Sequence, residues 1–336
     1  MMNSYERTRN FVLGKPVDRP PFMPLCIEWV ARQQGIAYPE FVYQPEKRAE
    51  AYLACAREFS IDCILPDADF YEQLEDFGAK PVFGDGGFHA EPILQCPEDA
   101  LKLNIPEILP GTRMGNRLEI LRRVAREVKG ERYIFGICIG PFTEYCNARS
   151  TEEAFYDMAD EPEAMLEGVR RFYQNCMQFL EAQLEAGADG IQIVEPSCSM
   201  ISPDFYREHL LPLHRAMVER IQRDGGFARL HICGDTNALI CDTLSTGTHI
   251  LDVDHAVRMG EAAAQLKPGQ VLCGNLDPAG ELLQGTPEQI GERVRAIHQE
   301  TGHRTILSAG CDVPPDTSAE NMHAFFKACD SLRMGE

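Results

Sequence analysis

The sequence predicts a single α/β domain over residues 1–336, a (β/α)8 barrel with an N-terminal helical lead and an insertion over the barrel mouth. Three observations predict it. Short apolar runs alternate with helix-like stretches along the whole chain, the pattern of parallel strands joined by crossover helices. No composition break divides the 336 residues, a length that one barrel with insertions accommodates. An open doubly wound sheet would usually carry a glycine-rich phosphate turn after its first strand, and the first strand candidate here is followed by none.

Taken in order, residues 4–13 read as the helical lead, stopped by Gly14 and Pro16. Pro20-Pro21 introduces residues 22–27 as the first strand. Apolar residues at helical spacing over 47–59 precede a second strand at 61–66, which leads into Asp67-Ala68-Asp69. Residues 83–109 are rich in glycine and proline and lack clear periodicity. They read as an excursion over the barrel, of the kind that serves as a lid. A helix over 117–128 and a strand over 132–139 follow, then helices over 151–158 and 162–186, the second closed by Gly187. The strand 190–194 delivers Glu195, and a helix over 203–223 leads to an alternating strand at 227–233. Runs 249–254, 270–275 and 304–310 supply the remaining strands, and a helix over 321–332 follows them.

Chemistry in such barrels gathers at the carboxyl ends of the strands. Those ends present Glu28, Asp67 and Asp69, Thr143 with Glu144, Glu195, His231 and Cys233, Asp254 and His255, Asn275 and Asp277, and Cys311. His231 and Cys233 are two apart on one strand and so project to the same side. Barrel closure would bring Cys311, at the end of the eighth strand, to meet them. One imidazole and two thiolates with an open position is the pattern of a catalytic zinc. Glu195 or a water could take the fourth place. Two thiolates soften the metal as a Lewis acid and suit it to holding a nucleophilic thiolate, so thiol alkylation is the preferred chemistry. Asn275 and Asp277 either line the pocket or fix the turn after a strand. Asp254-His255 reads more as solvated loop polarity than as a pair orienting a zinc ligand.

Acidic residues outnumber basic ones 52 to 32, for a formal charge of −20. That surface repels nucleic acid and anionic membranes and excludes both as expected partners. The 13 cysteines follow no disulfide-scaffold rhythm, the first residues lack a signal-peptide core, and no apolar run is long enough to span a bilayer. Reduced thiols in a cytoplasmic enzyme are the simplest account.

Four stretches make the chain resemble the uroporphyrinogen decarboxylase superfamily over nearly its whole length. They are Asp18-Arg19-Pro20-Pro21 with Arg32-Gln33-Gln34-Gly35 and Tyr38-Pro39-Glu40-Phe41; Ile201-Ser202-Pro203-Asp204-Phe205-Tyr206-Arg207-Glu208 with Leu211-Pro212-Leu213; Gly274-Asn275-Leu276-Asp277-Pro278; and Ser308 through Thr317 with Glu320-Asn321. The resemblance implies the same (β/α)8 barrel. The decarboxylase branch would place two arginines near the start, of which Arg32 is present and the second is Ile36. It would also place a histidine where Cys311 stands and a tyrosine near Asn147; Asp69 matches its pyrrole-contacting aspartate.

The other branch, the zinc-dependent cobamide methyltransferases, resembles the chain in Gly140-Pro141-Phe142-Thr143 and in His231, Cys233 and Cys311. It implies methyl transfer between a thiol, or another small methyl donor or acceptor, and a corrinoid carried by a partner protein. The expected site is then His231, Cys233, Cys311 and Glu195 on zinc; Asp69 and Glu195 as catalytic groups; and Arg32, Thr143, Asn275 and Asp277 around the substrate. A homodimer is compatible with this reading. Two alternatives stay open: a lyase of the decarboxylase type, and a non-catalytic barrel that binds a small ligand or a corrinoid protein.

Overall fold

Seven parallel strands form one curled sheet: β1 (Cys63–Ile64), β4 (Tyr133–Ile139), β5 (Gly190–Val194), β6 (Phe227–Ile232), β7 (Ile250–Val253), β8 (Val271–Leu276) and β9 (Thr305–Ala309), neighbours in that order. The structure is a computed structural model and describes residues 2–84 and 87–334. The eighth barrel position, expected as a strand over 22–27, is reduced to a bridge between Phe22 and Leu307. Leu307 N donates to Pro21 O (3.0 Å), Met23 N to Leu307 O (2.9 Å) and Asp62 N to Phe22 O (2.8 Å), so this short segment still closes the ring. Pro20, Pro21 and Pro24 carry no amide hydrogen, which keeps the ladder from extending.

Period-two alternation sorts the strand side chains. Along β4, Tyr133, Phe135, Ile137 and Ile139 join Leu65, Val194, Ile250 and Cys273 in the cluster that fills the barrel. Ile134 and Cys138 instead face the surrounding helices. All seven β4 residues are buried, and each large apolar side chain so placed contributes roughly 1.5–3 kcal/mol. Arg229 and Asp252 are polar exceptions in the interior, paired at 2.6 Å across β6 and β7.

Two expectations change. The stretch 203–223 is a short turn (Pro203–Phe205), a π segment (Tyr206–Leu210) and then a regular helix, Leu211–Arg223. Pro212 lacks the amide that a continuous helix would need there, and the wider turn absorbs the fault. The excursion holds an antiparallel hairpin, β2 (Pro81–Gly84) with β3 (Gly87–Ala90). Its rings join a small aromatic group: Phe83 meets Phe88 at 4.6 Å in a tilted pair, and Tyr71 meets Phe88 edge-on at 5.8 Å. No helix among the described residues is long and apolar enough to cross a membrane.

Candidate metal centre

β6 ends at Ile232, so His231 is its next-to-last residue and Cys233 lies just beyond its end. His231 Nε2 lies 2.9 Å from Cys233 Sγ, which lies 3.4 Å from Cys311 Sγ. The ligand atoms of all three residues lie within 4.8 Å of one another. Cys311 reaches the group because Gly310 allows β9 to end hard against the loop after β7. A Cβ at Gly310 would stand 2.4 Å from His255 N. His231 is buried and both cysteines are half-buried, leaving the sulfurs open toward the mouth.

The three groups are poised electrostatically. Burial opposes a charged His231, but the Asp252 carboxylate, 3.0 Å from Nδ1, and the Cys311 sulfur outweigh it and raise the imidazole to about 10. The contact from Cys233, opposed by burial and reinforced by His231, holds the Cys311 thiol down to about 5. That same contact and burial push Cys233 up. A thiolate, a thiol and an imidazolium therefore crowd one point, the proton-filled form of a site whose donors a dication would draw together. Nδ1 faces Asp252, so Nε2 is the nitrogen free to ligate.

Asp252 was not singled out from the sequence, because an acid inside a strand looks like ordinary alternation. The register pairing of His231 with Asp252 across β6 and β7 makes its role visible. Asp254, read from the sequence as loop polarity, is buried, and its carboxylate accepts from Gly234 N at 2.6 Å, pinning the turn after Cys233. Asp312 accepts from Ile27 N at 2.9 Å; burial and then the Cys311 charge push its carboxyl well up.

The remaining expected residues are placed elsewhere. Glu195, expected on the metal, is fully buried in a separate group with Cys198 and His214. Its carboxylate accepts from Thr143 Oγ1 (2.7 Å), Thr143 N (2.9 Å) and Phe142 N (3.2 Å), and lies 3.0 Å from His214 Nε2. Tyr206 Oη lies 2.9 Å from His214 Nδ1. Gly140 permits this closeness, since a Cβ there would fall 2.3 Å from the Glu195 carboxyl carbon. Thr143 is thus Glu195's anchor. Asp69 is buried, ion-paired to Arg113, and accepts from Tyr71 N at 2.8 Å. Asn275 is buried and donates to Val257 O (3.0 Å) and Asp254 O (3.2 Å), holding the loop after β7. Asp277 caps the next turn, accepting from Ala279 N and Gly280 N. Arg32 stands exposed, paired with Asp316 at 2.7 Å.

Comparison with known proteins agrees with the architecture. Residues 3–332 match the family model for uroporphyrinogen decarboxylase (URO-D). The chain is 29% identical over 336 residues to a uroporphyrinogen decarboxylase of Chloroflexus aggregans, covering 92% of this chain and 90% of that one. It is 27% identical over 342 residues to the methylcobamide:CoM methyltransferase MtbA of Methanosarcina acetivorans, covering 98% of each. A solved structure of a methyltransferase from Methanosarcina mazei superposes with a TM-score of 0.88 at 21% identity, over 98% of this chain and 99% of that one, a likeness of fold. With the family model matched from near the first residue to near the last, the chain belongs to the uroporphyrinogen decarboxylase family.

Proposed function

We propose that the protein is a zinc-dependent methyltransferase that moves a methyl group between a corrinoid protein and a thiol or another small methyl donor or acceptor. The observation that carries this reading is the convergence of His231, Cys233 and Cys311 at the barrel mouth. One nitrogen and two sulfurs suit zinc, and three protein ligands leave a position for substrate. Zinc bound there would keep an incoming thiol deprotonated at neutral pH. The chain's own residues prepare that chemistry. Asp252 fixes the His231 ring, Asp254 pins the Cys233 turn, and the half-exposed sulfurs face the side from which a corrinoid protein would approach. In this reading Glu195 and Asp69 position the walls of the mouth, and Asn275 and Asp277 hold its loops.

The similarity to decarboxylases favours a lyase as the second reading. Against it, Arg32 is turned to solvent on Asp316, and a chain of formal charge −20 is a poor match for a polyanionic substrate. One experiment separates the two. Zinc content is measured in wild type and Cys311→Ala, beside demethylation of methylcobalamin by several thiols and decarboxylation of uroporphyrinogen. Zinc in wild type, its loss in the variant and thiol methylation support the proposal. Zinc-free, thiol-inert protein that releases carbon dioxide overturns it.

A further inference from the structure

Asp254 and His255 form an acid–imidazole pair outside the metal trio. They follow β7 directly, and the segment is fixed on three sides. Gly234 N, next after Cys233, donates to Asp254 Oδ2 at 2.6 Å. Asn275 Nδ2 donates to Asp254 O at 3.2 Å and to His255 O at 3.4 Å. Gly310, just before Cys311, comes so close that a Cβ there would stand 2.4 Å from His255 N. The pair is therefore wedged between the turn that carries Cys233 and the strand end that carries Cys311. Even so, the His255 side chain is 50% exposed and open to a ligand.

The orientation of the ring follows from its partner. Asp254 Oδ1 accepts from His255 N and lies 2.5 Å from Nδ1, while Oδ2 takes Gly234 N. A carboxylate only accepts, so Nδ1 carries the hydrogen and the lone pair of the neutral ring stands on Nε2. The neighbouring acids offer no comparable acceptor. Asp69 is paired with Arg113, Glu195 with Thr143 and His214, and Asp312 takes Ile27 N. Glu144 is fully buried; burial, then the charges of Glu195, Asp69 and Glu72, push its carboxyl well above the usual range, where it holds a proton.

We propose that His255 is the catalytic base of this site: its Nε2 takes the proton of an incoming thiol and holds it until the methyl group has moved, with Asp254 as the positioning residue. The inference rests on the methyltransferase reading, in its thiol-accepting direction. Zinc at the trio would make the thiol more acidic, yet the proton still needs an acceptor. A corrinoid protein seated over the mouth would keep bulk water from that task. An ordinary imidazole holds a proton up to about pH 6.5 and an ordinary carboxylate only to about pH 4, so the ring is the better matched base. The S–H bond breaks with its electron pair on sulfur, and the proton passes to Nε2. The sulfur pair then forms the S–C bond to the methyl group of the methylated corrinoid, the co-substrate. The cobalt–carbon bond breaks with its pair on cobalt, the thioether departs, and the imidazolium gives its proton to water.

The test uses the full zinc-loaded chain and His255→Gln, with methylcobalamin standing in for the methylated corrinoid protein. The acceptors are 2-mercaptoethanol, a weakly acidic thiol, and 4-nitrothiophenol, which is already a thiolate at neutral pH. The variant should lose on the order of 10²–10⁴-fold on 2-mercaptoethanol and far less on 4-nitrothiophenol, which brings no proton to remove. A second readout needs no turnover. Calorimetry of 2-mercaptoethanol binding at pH 7.5, in two buffers of different ionisation heat, counts the protons released. Wild type should release well under one proton per thiol bound, and the variant one. Circular dichroism and zinc content report that the variant is folded and loaded. Equal loss on both thiols, no loss on 2-mercaptoethanol, or a full proton released by wild type overturns the proposal. Zinc loss in a folded variant also overturns it, since His255 would then be a ligand. If the variant fails to fold, the proton count of wild type decides alone. Where wild type keeps its zinc and methylates thiols, any of these failures sinks this inference alone. Wild type without zinc or thiol methylation takes the methyltransferase reading down with it.

Discussion

His231 and Asp252 are register partners on adjacent strands, and Nδ1 of the imidazole lies 3.0 Å from Oδ2 of the carboxylate. That carboxylate also takes Arg229 Nη2 at 2.6 Å and Nε at 3.1 Å. Burial alone would push Asp252 up; Arg229 and then His231 outweigh it and hold the carboxyl below its usual range. One aspartate therefore both orients the candidate ligand and neutralises a buried guanidinium.

Asp252→Asn should weaken zinc binding about 10–100-fold, as removal of a ligand's orienting partner does. It should also cost ~3–5 kcal/mol, because Arg229 is left charged and unpaired in the barrel. A competitive chelator titration reads the first effect and urea unfolding the second. A variant with unchanged zinc affinity would refute the orienting role.

Glu195→Gln and Cys311→Ala should separate cleanly. The Glu195 carboxylate is spent on Thr143 and His214, so the glutamine variant should keep its zinc. It should lose about 1–3 kcal/mol through imperfectly replaced hydrogen bonds. The alanine variant should lose the metal with little change in the wall. Metal stoichiometry by mass spectrometry checks both, and zinc loss in Glu195→Gln would restore Glu195 as a ligand.

Gly310→Ala should displace Cys311. The added carbon would meet His255 N at 2.4 Å, a backbone atom that cannot swing aside. A cost of ~1–3 kcal/mol is expected from the overpacking, with weaker zinc binding on top. Thermal melts with and without added zinc would show both shifts.

Glu144 sets a pH dependence whose sign follows from its raised carboxyl. A raised acid favours the folded state while protonated, so its contribution is present below the ordinary glutamate range and is lost as pH climbs through the folded value. Each pH unit above the unfolded value removes about 1.4 kcal/mol of wild-type stability relative to Glu144→Gln until the folded carboxyl ionises. The melting temperature of the variant should therefore gain on wild type from pH 5 to 8. A constant difference would contradict the shift.

Parallel strands buried on both faces announce themselves as apolar runs, which is why β4 through β9 match the expected stretches, β8 running one residue past its own. The metal trio was legible because period two aligns His231 with Cys233 and barrel order brings Cys311 round. Long-range pairing was not. Arg113 neutralises Asp69 and Thr143 captures Glu195, so two acids that looked available are occupied. Nothing local in the chain announces either partner. The hairpin 81–90 escaped because its alternation is brief and half polar, and the first strand failed because prolines read as a lead-in also stop the ladder.

Cys233 and Cys311 stand 78 positions apart in the chain. An ion gripped by both is a cross-link as well as a reagent. On chain-entropy grounds, closing a loop of that length restrains the unfolded chain by about 4.5 kcal/mol. The last βα units, from the end of β6 to the seam where β9 meets Phe22, would share that tie. Chelation should then loosen the C-terminal third first, and hydrogen exchange there would rise before the rest of the barrel gives way.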